Sequence, residues 1–299
     1  MRLKRVTHIL LIVSIFYMTA LLAGCSGGGE DFSSDYDIIE GQESYSNSRS
    51  GETSTGGGVE GGFLMWYGYY SNGDKVGLAT SPDGVTWSKS PSNPVLSSAY
   101  MQSVVYDGSS YKMWYSYYSS GDKIGLATSP DGVTWSKSPS NPVLNSAYMP
   151  SVVYDGSSYK MWYSYYSSGD KIGLATSPDG VTWSKSPSNP VLNSAYMPSV
   201  VYDGSSYKMW YSYYSSGDKI GLATSPDGVT WSKSPSNPVL SSAYIPWVVF
   251  DGSIYKMWYG YYSSGDKIGL ATSPDGVTWS KSPSNPVLSG AYWQSVIQQ

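Results

Sequence analysis

The sequence predicts an all-β fold, a closed ring of five four-stranded blades, and three observations point to it. First, a segment such as Tyr111 to Lys137, YKMWYSYYSSGDKIGLATSPDGVTWSK, recurs every 48 residues. Trp114 returns as Trp66, Trp162, Trp210 and Trp258, and Trp135 as Trp87, Trp183, Trp231 and Trp279. Second, every copy breaks into short β-patterned runs separated by Gly, Ser, Asp and Pro turns. Third, the first copy starts at Phe63, the equivalent of Tyr111, and so lacks a leading strand, while Ser295 to Gln299 supplies a spare one after the fifth copy. A unit of this size cannot bury its apolar face without neighbours, and complementary partial units favour a ring closed by the C-terminal strand over an open solenoid.

Residues 1–24 precede the repeats as a leader. Met1 to Arg5 is basic, and the apolar run from Ile9 to Ala23 is shorter than the ~20 residues of an ordinary spanning helix. It ends in Leu22, Ala23, Gly24 and Cys25, similar to a bacterial lipoprotein signal in which the Cys25 thiol receives a diacylglyceryl group. Cys25 is the only cysteine, so no disulfide framework exists. Residues 25–61 then read as the lipidated Cys followed by an acidic Ser/Gly tether, and residues 62–299 as the propeller. Ser26 after the cysteine suits sorting to an outer membrane. These features predict an exported, lipid-anchored protein of a bacterial envelope, at the outer membrane or cell surface.

Within one copy, Ser103 to Asp107 is a β-branched first strand, followed by a turn at Gly108 and Ser109. Tyr111 to Tyr118 is a second strand with aromatics on both faces, as burial between two neighbouring sheets requires. Lys123 to Ser129 is a third strand, small at Gly125 and Ala127 for close packing. Ser129, Pro130, Asp131 and Gly132 make a turn, and Val133 to Lys137 is the fourth strand, before a Pro-rich return.

Charge narrows the functional classes. The chain carries a net charge of −4, but from Asp74 onward 14 Asp are balanced by 14 Lys, with no Arg. Nothing there forms a basic stripe for a phosphate backbone, which argues against nucleic acid. No His follows His8, so no metal or nucleophile–base constellation is predicted, and no cofactor.

At MWYSYYSSGDKIGLATSPDGVTW the repeats resemble the five-bladed propeller of the arabinanase, invertase and levansucrase type glycoside hydrolases, including family 43 and the related mannoside phosphorylases. The SPDGVTW turn has a weaker likeness to the sialidase Asp box, from which it departs by lacking one residue between Asp131 and Gly132. The resemblance implies catalytic acids lining an axial funnel at the entry to the innermost strands. The positions matching the funnel Asp are Met101, Met149, Met197, Ile245 and Trp293, followed by Gln102, Pro150, Pro198, Pro246 and Gln294, none of them charged. Every Glu lies between Glu30 and Glu60. Glycoside hydrolysis needs two carboxyl groups across a cleft, so no catalytic residue is assigned.

Two candidate ligand sites remain. Differences between copies gather at the funnel entry, making Met101, Gln102, Met149, Met197, Ile245, Trp247, Trp293 and Gln294 candidate funnel residues. Drift and end effects, since Trp293 and Gln294 belong to the closing strand, are the favoured explanation of the same differences. Tyr118, Asp122 and Tyr148 illustrate a repeated sugar site, with Asp74, Asp170, Asp218 and Asp266 as the copies of Asp122. The competing reading gives each Asp a turn hydrogen bond or an ion pair with the Lys after it. The sequence thus predicts a propeller that binds carbohydrate or another extracellular polymer, with membrane contact through Cys25. A glycoside hydrolase or phosphorylase acting on oligosaccharides, and a protein-interaction scaffold, stand as alternatives.

Overall fold

A computed structural model of the chain describes residues 62–299, and all of its regular structure is β. The leader, Cys25 and the tether lie outside the described residues. Five sheets surround an axis. In the second blade the inner strand is Tyr100–Tyr106, the next Tyr111–Tyr118 and the third Asp122–Ser129, all antiparallel. The first blade takes its inner strand, Tyr292–Gln298, from the C-terminus, paired antiparallel with Phe63–Tyr70. Gln299 N donates to Gly62 O at 2.9 Å, continuing that pairing.

The outer strand is shorter than the sequence suggests. It survives only as Ser136–Lys137 and, after a Pro-rich detour, Leu144–Asn145, both paired to the third strand. The Asn141 side chain fills the gap like a peptide group. Leu126 N donates to its Oδ1 at 2.7 Å, while its Nδ2 donates to Leu126 O at 3.0 Å and Tyr115 Oη at 3.1 Å. Val133 and Thr134 belong instead to the preceding turn, where their N–H groups donate to Asp131 Oδ1.

The core is five clusters between blades. One joins Trp114, Ile124 and Leu126 of the second blade to Val152, Met161 and Tyr163 of the third. Both faces of each sheet are therefore buried, which is why the MWY strand is apolar throughout. Gly125 admits the Tyr115 ring across the sheet, since a Cβ there would lie 2.7 Å from Tyr115 Cζ.

The tryptophans stitch the ring. Trp66, Trp114, Trp162, Trp210 and Trp258 are fully buried, and each indole Nε1 donates across an interface to a turn glycine carbonyl, at Gly132, Gly180, Gly228, Gly276 and Gly84 respectively, over 2.9–3.0 Å. The fifth bond, Trp258 to Gly84, returns to the first blade and closes the circle. Each carbonyl also accepts the indole N–H of its own blade, as Gly132 O does from Trp135 at 2.9 Å.

The same turns anchor a carboxylate. Asp83 is held down to about 2, chiefly by the backbone N–H groups of Thr86 and Val85, and Asp131, Asp179, Asp227 and Asp275 are also lowered to about 2. A folded value below the ordinary 3.8 makes this stabilisation complete above that pH and lost as pH falls through 2. Burial raises Asp74, Asp122, Asp218 and Asp266, whose cost is relieved by acid, but the lowered group is larger, since Asp107, Asp155, Asp203 and Asp251 belong to it as well. The melting temperature followed by circular dichroism is expected to drop steadily between about pH 4 and about pH 2. A flat profile across that window would contradict the turn assignment.

Candidate functional site

Each inner strand begins with a β-bulge. Tyr100 pairs with Ser116 and Ser103 with Trp114, leaving one extra residue at Met101 and Gln102. The bulge puts Met101, Met149, Met197, Ile245 and Trp293 at φ of 51–53°, a region costly for any side chain and most unusual for β-branched Ile245. These residues meet at the axis around a small open pocket, completed by Gln102, Pro150, Pro198, Pro246, Trp247 and Gln294. All eight funnel residues named from sequence line it. Its lining carries no ionisable group.

The differences between copies follow a structural rule. Met149, Met197 and Ile245 donate their N–H to Ser116, Ser164 and Ser212 Oγ of the preceding blade at 2.9–3.0 Å. On the two sides of the first blade, that Ser is replaced by Gly68 and Gly260, and the bulge Pro by Gln102 and Gln294. The glutamines bridge instead. Gln102 Nε2 donates to Trp66 O at 2.7 Å and also to Trp293 O, while Gln294 Nε2 donates to Ile245 O at 2.6 Å and Trp258 O at 2.8 Å. Gly68 is required beside Trp293, because a Cβ there would lie 2.9 Å from Trp293 Cε3.

Trp247 completes this seam. At other interfaces a Ser Oγ accepts a valine N–H, as Ser103 does from Val152 at 3.0 Å. Trp247 stands in the place of that Ser and donates its indole N–H to Val296 O at 2.8 Å, onto the closing strand. Trp293 is buried, with its ring 5.4 Å from that of Tyr100. The Ser-to-Gly and Pro-to-Gln exchanges were visible in the sequence as a co-occurrence, but their meaning needed the blade adjacency.

One polar feature of the cavity has no protein partner. Both Gln102 Oε1 and Gln294 Oε1 are buried without a hydrogen bond. Each amide is oriented by two carbonyls accepting from Nε2, so a flip would set oxygen against oxygen. Two fixed carboxamide oxygens thus lie buried beside the thioether, proline and indole surfaces that line the axis.

The funnel rim holds the second candidate set. The second strand ends and the third begins on the same end of the ring as the bulges, so Tyr118 and Asp122 pair beside the funnel, while Asp107 and Asp131 lie at the opposite end. Asp122 acts electrostatically on Tyr148, but Tyr118 acts on Tyr100 of its own blade. The structure therefore unites two members of the proposed trio and gives the third a different neighbour. Asp122 does not pair with the following Lys, because Lys123 Nζ donates to Asn145 Oδ1 at 2.9 Å. The Asp–Lys pairs lie at the far end instead, at Lys112–Asp107, Lys160–Asp155, Lys208–Asp203 and Lys256–Asp251. Among the described residues, no group of three or more His, Cys, Asp or Glu is placed to hold a metal ion.

Fold and funnel together define a glycosidase-like five-bladed β-propeller. No family model matches the sequence, and no curated protein matches it. Solved structures are similar in fold. An endo-1,4-β-xylanase from Bacteroides thetaiotaomicron aligns with a TM-score of 0.58 at 18% identity, covering 74% of this chain and 90% of that one. A GH32 β-fructofuranosidase from Bombyx mori gives 0.57 at 13%, covering 72% and 60%. A family 117 glycoside hydrolase of Zobellia galactanivorans gives 0.54 at 15%, covering 62% and 68%. At these identities the likeness concerns the fold.

Proposed function

We propose that this protein is an envelope-anchored carbohydrate-binding propeller that holds glycan without cleaving it. The observation that carries the reading is the funnel lining, in which the polar groups at the cavity are two buried carboxamides and not carboxylic acids. Hydrolysis of a glycosidic bond needs one carboxyl group to protonate the leaving oxygen and another to act as base or nucleophile. Carboxamide oxygens accept hydroxyl hydrogens but hold no proton to give. Indole faces beside them suit the C–H face of a sugar. The fold supports a carbohydrate role, and the activities named for the similar structures, an endo-1,4-β-xylanase and a β-fructofuranosidase, choose the first probes.

The chain from Ser26 titrated with xylohexaose and with a fructo-oligosaccharide is expected to bind at least one of them and to release no reducing ends over days. Turnover of either would replace the binding reading with a glycosidase. Silence toward both would favour a protein-interaction scaffold. Anchoring rests on the Leu22-Ala23-Gly24-Cys25 run, and Cys25→Ser is expected to move the exported protein from the membrane fraction to the soluble one. Unchanged fractionation would remove the lipid from the reading.

A further inference from the structure

The methionines of the ring fall into two groups. Met65, Met113, Met161, Met209 and Met257 are fully buried, one in each of the clusters between blades. Met101, Met149 and Met197 stand instead at the bulges of three successive blades and line the axial pocket together, 8%, 7% and 5% exposed. Packing alone does not require methionine there, because the same position holds Ile245 in the fifth blade and Trp293 in the first. Three thioether side chains from neighbouring blades thus face one opening.

Their backbones are fixed in place. All three sit at φ of 51–53°, a costly region that folded chains keep at ligand clamps. Met149 N–H and Met197 N–H donate to Ser116 and Ser164 Oγ at 2.9 and 3.0 Å, and the Met101 bulge is held by Gln102, whose Nε2 donates to Trp66 O at 2.7 Å. The side chains therefore start from set points around the axis, and rotamer changes alone can close them on a guest. The rest of the lining decides what that guest is. No ionisable group is present, so a doubly charged ion would stand uncompensated at a high desolvation cost. Thioether sulfur is a soft donor of the kind that suits Cu(I), whereas hard cations take carboxylate, carbonyl or water oxygen. Trp293 adds an indole to the same walls, and aromatic π electrons attract a cation.

We propose that Met101, Met149 and Met197 form a three-thioether site for a single soft monovalent metal ion, Cu(I), at the axis of the ring. The ion enters and leaves as the monovalent cation, so no electron is transferred. The buried Gln102 and Gln294 oxygens take no part. This goes beyond the carbohydrate reading and does not depend on it, since sulfur and not a hydroxyl acceptor makes the site.

The chain from Ser26 contains no cysteine, so thioethers are its only sulfur donors. Calorimetric titration with silver(I) nitrate in chloride-free buffer, a soft monovalent probe that does not change oxidation state, is expected to show a single ion bound per chain. Cu(I) added without oxygen should give an X-ray absorption spectrum with sulfur as the nearest neighbours of the metal. Met149→Leu keeps the side-chain volume and removes the sulfur, and it should weaken silver binding by about tenfold or more, at least as much as loss of an outer partner of a metal ligand does. Leucine at Met101, Met149 and Met197 together should abolish binding and leave the melting temperature unchanged, while Met161→Leu, in the core between blades, should leave binding as it is. Zn(II) should give no heat beyond dilution. Failure to take up both silver and Cu(I), silver binding unchanged by Met149→Leu or weakened as much by Met161→Leu, or Zn(II) bound as tightly as silver would each overturn the site.

Discussion

A chain ending at Ala291 is expected to lose the cooperative fold of the ring. The missing strand, Tyr292–Gln298, contributes buried Tyr292, Trp293 and Val296, the Ser295 Oγ that accepts Val104 N–H at 3.0 Å, and Gln294 with its two bonds to the fifth blade. Burial of large apolar side chains stabilises by roughly 1.5–3 kcal/mol each, so the three together supply roughly 5–9 kcal/mol. That is comparable with the ~5–15 kcal/mol that holds an ordinary domain together. The Phe63–Tyr70 strand would also present an unpaired edge to the axis. Circular dichroism and size-exclusion chromatography should find a soluble but non-cooperative chain or an aggregate. A permuted chain separates strand loss from connectivity. Gln298 pairs with Phe63 in the antiparallel register, so moving 292–299 ahead of residue 62 through a short turn should restore a single sharp transition. Native melting of the truncated chain would show that closure is not what stabilises the ring.

The ring itself was legible because the repeat is nearly exact. Tryptophan spacing, the two-sided aromatic strand and the glycine turns each pointed to blades buried between blades, and the five interblade clusters have that arrangement. The outer strand was misjudged in extent because local β-propensity at Val133 and Thr134 says nothing about Asp131 capturing their N–H groups. Nor does propensity reveal that an Asn side chain can replace a strand residue, as Asn141 does. At the funnel, residue types were readable and partners were not. Gln102, Trp247 and Gln294 stood out as departures from the repeat, yet only adjacency in the ring shows that they surround the blade assembled from two distant segments. The rim Asp residues show the opposite case. Their sequence neighbours suggested ion pairs with lysine, whereas strand pairing sends each Lys toward the outer strand and leaves the carboxylate beside a tyrosine.

Trp162→Ala is expected to cost about 3–5 kcal/mol, the range for emptying a fully buried aromatic site. The side chain is wholly inaccessible, its ring lies 6.0 Å from Trp231 in an edge-on arrangement and 5.5 Å from Tyr207, and its Nε1 donates to Gly228 O at 2.9 Å. Loss of the indole opens the interface between the third and fourth blades where nothing nearby can collapse into it. Gly228 is held at φ 77°, where a side chain is strained, so a larger residue at the glycine would not fill the gap without cost. Trp183→Ala should cost less, because that ring is only partly buried whereas Trp162 is wholly inaccessible. Urea unfolding of both variants, read as midpoint and slope, tests the order. Since every blade is clamped on two sides, Trp162→Ala should lower the midpoint of one cooperative transition without splitting it. Two separate transitions, or a loss below about 1 kcal/mol against the large-to-small range for buried aromatics, would mean that the blades stand independently and that the tryptophan ring is not their common fastening.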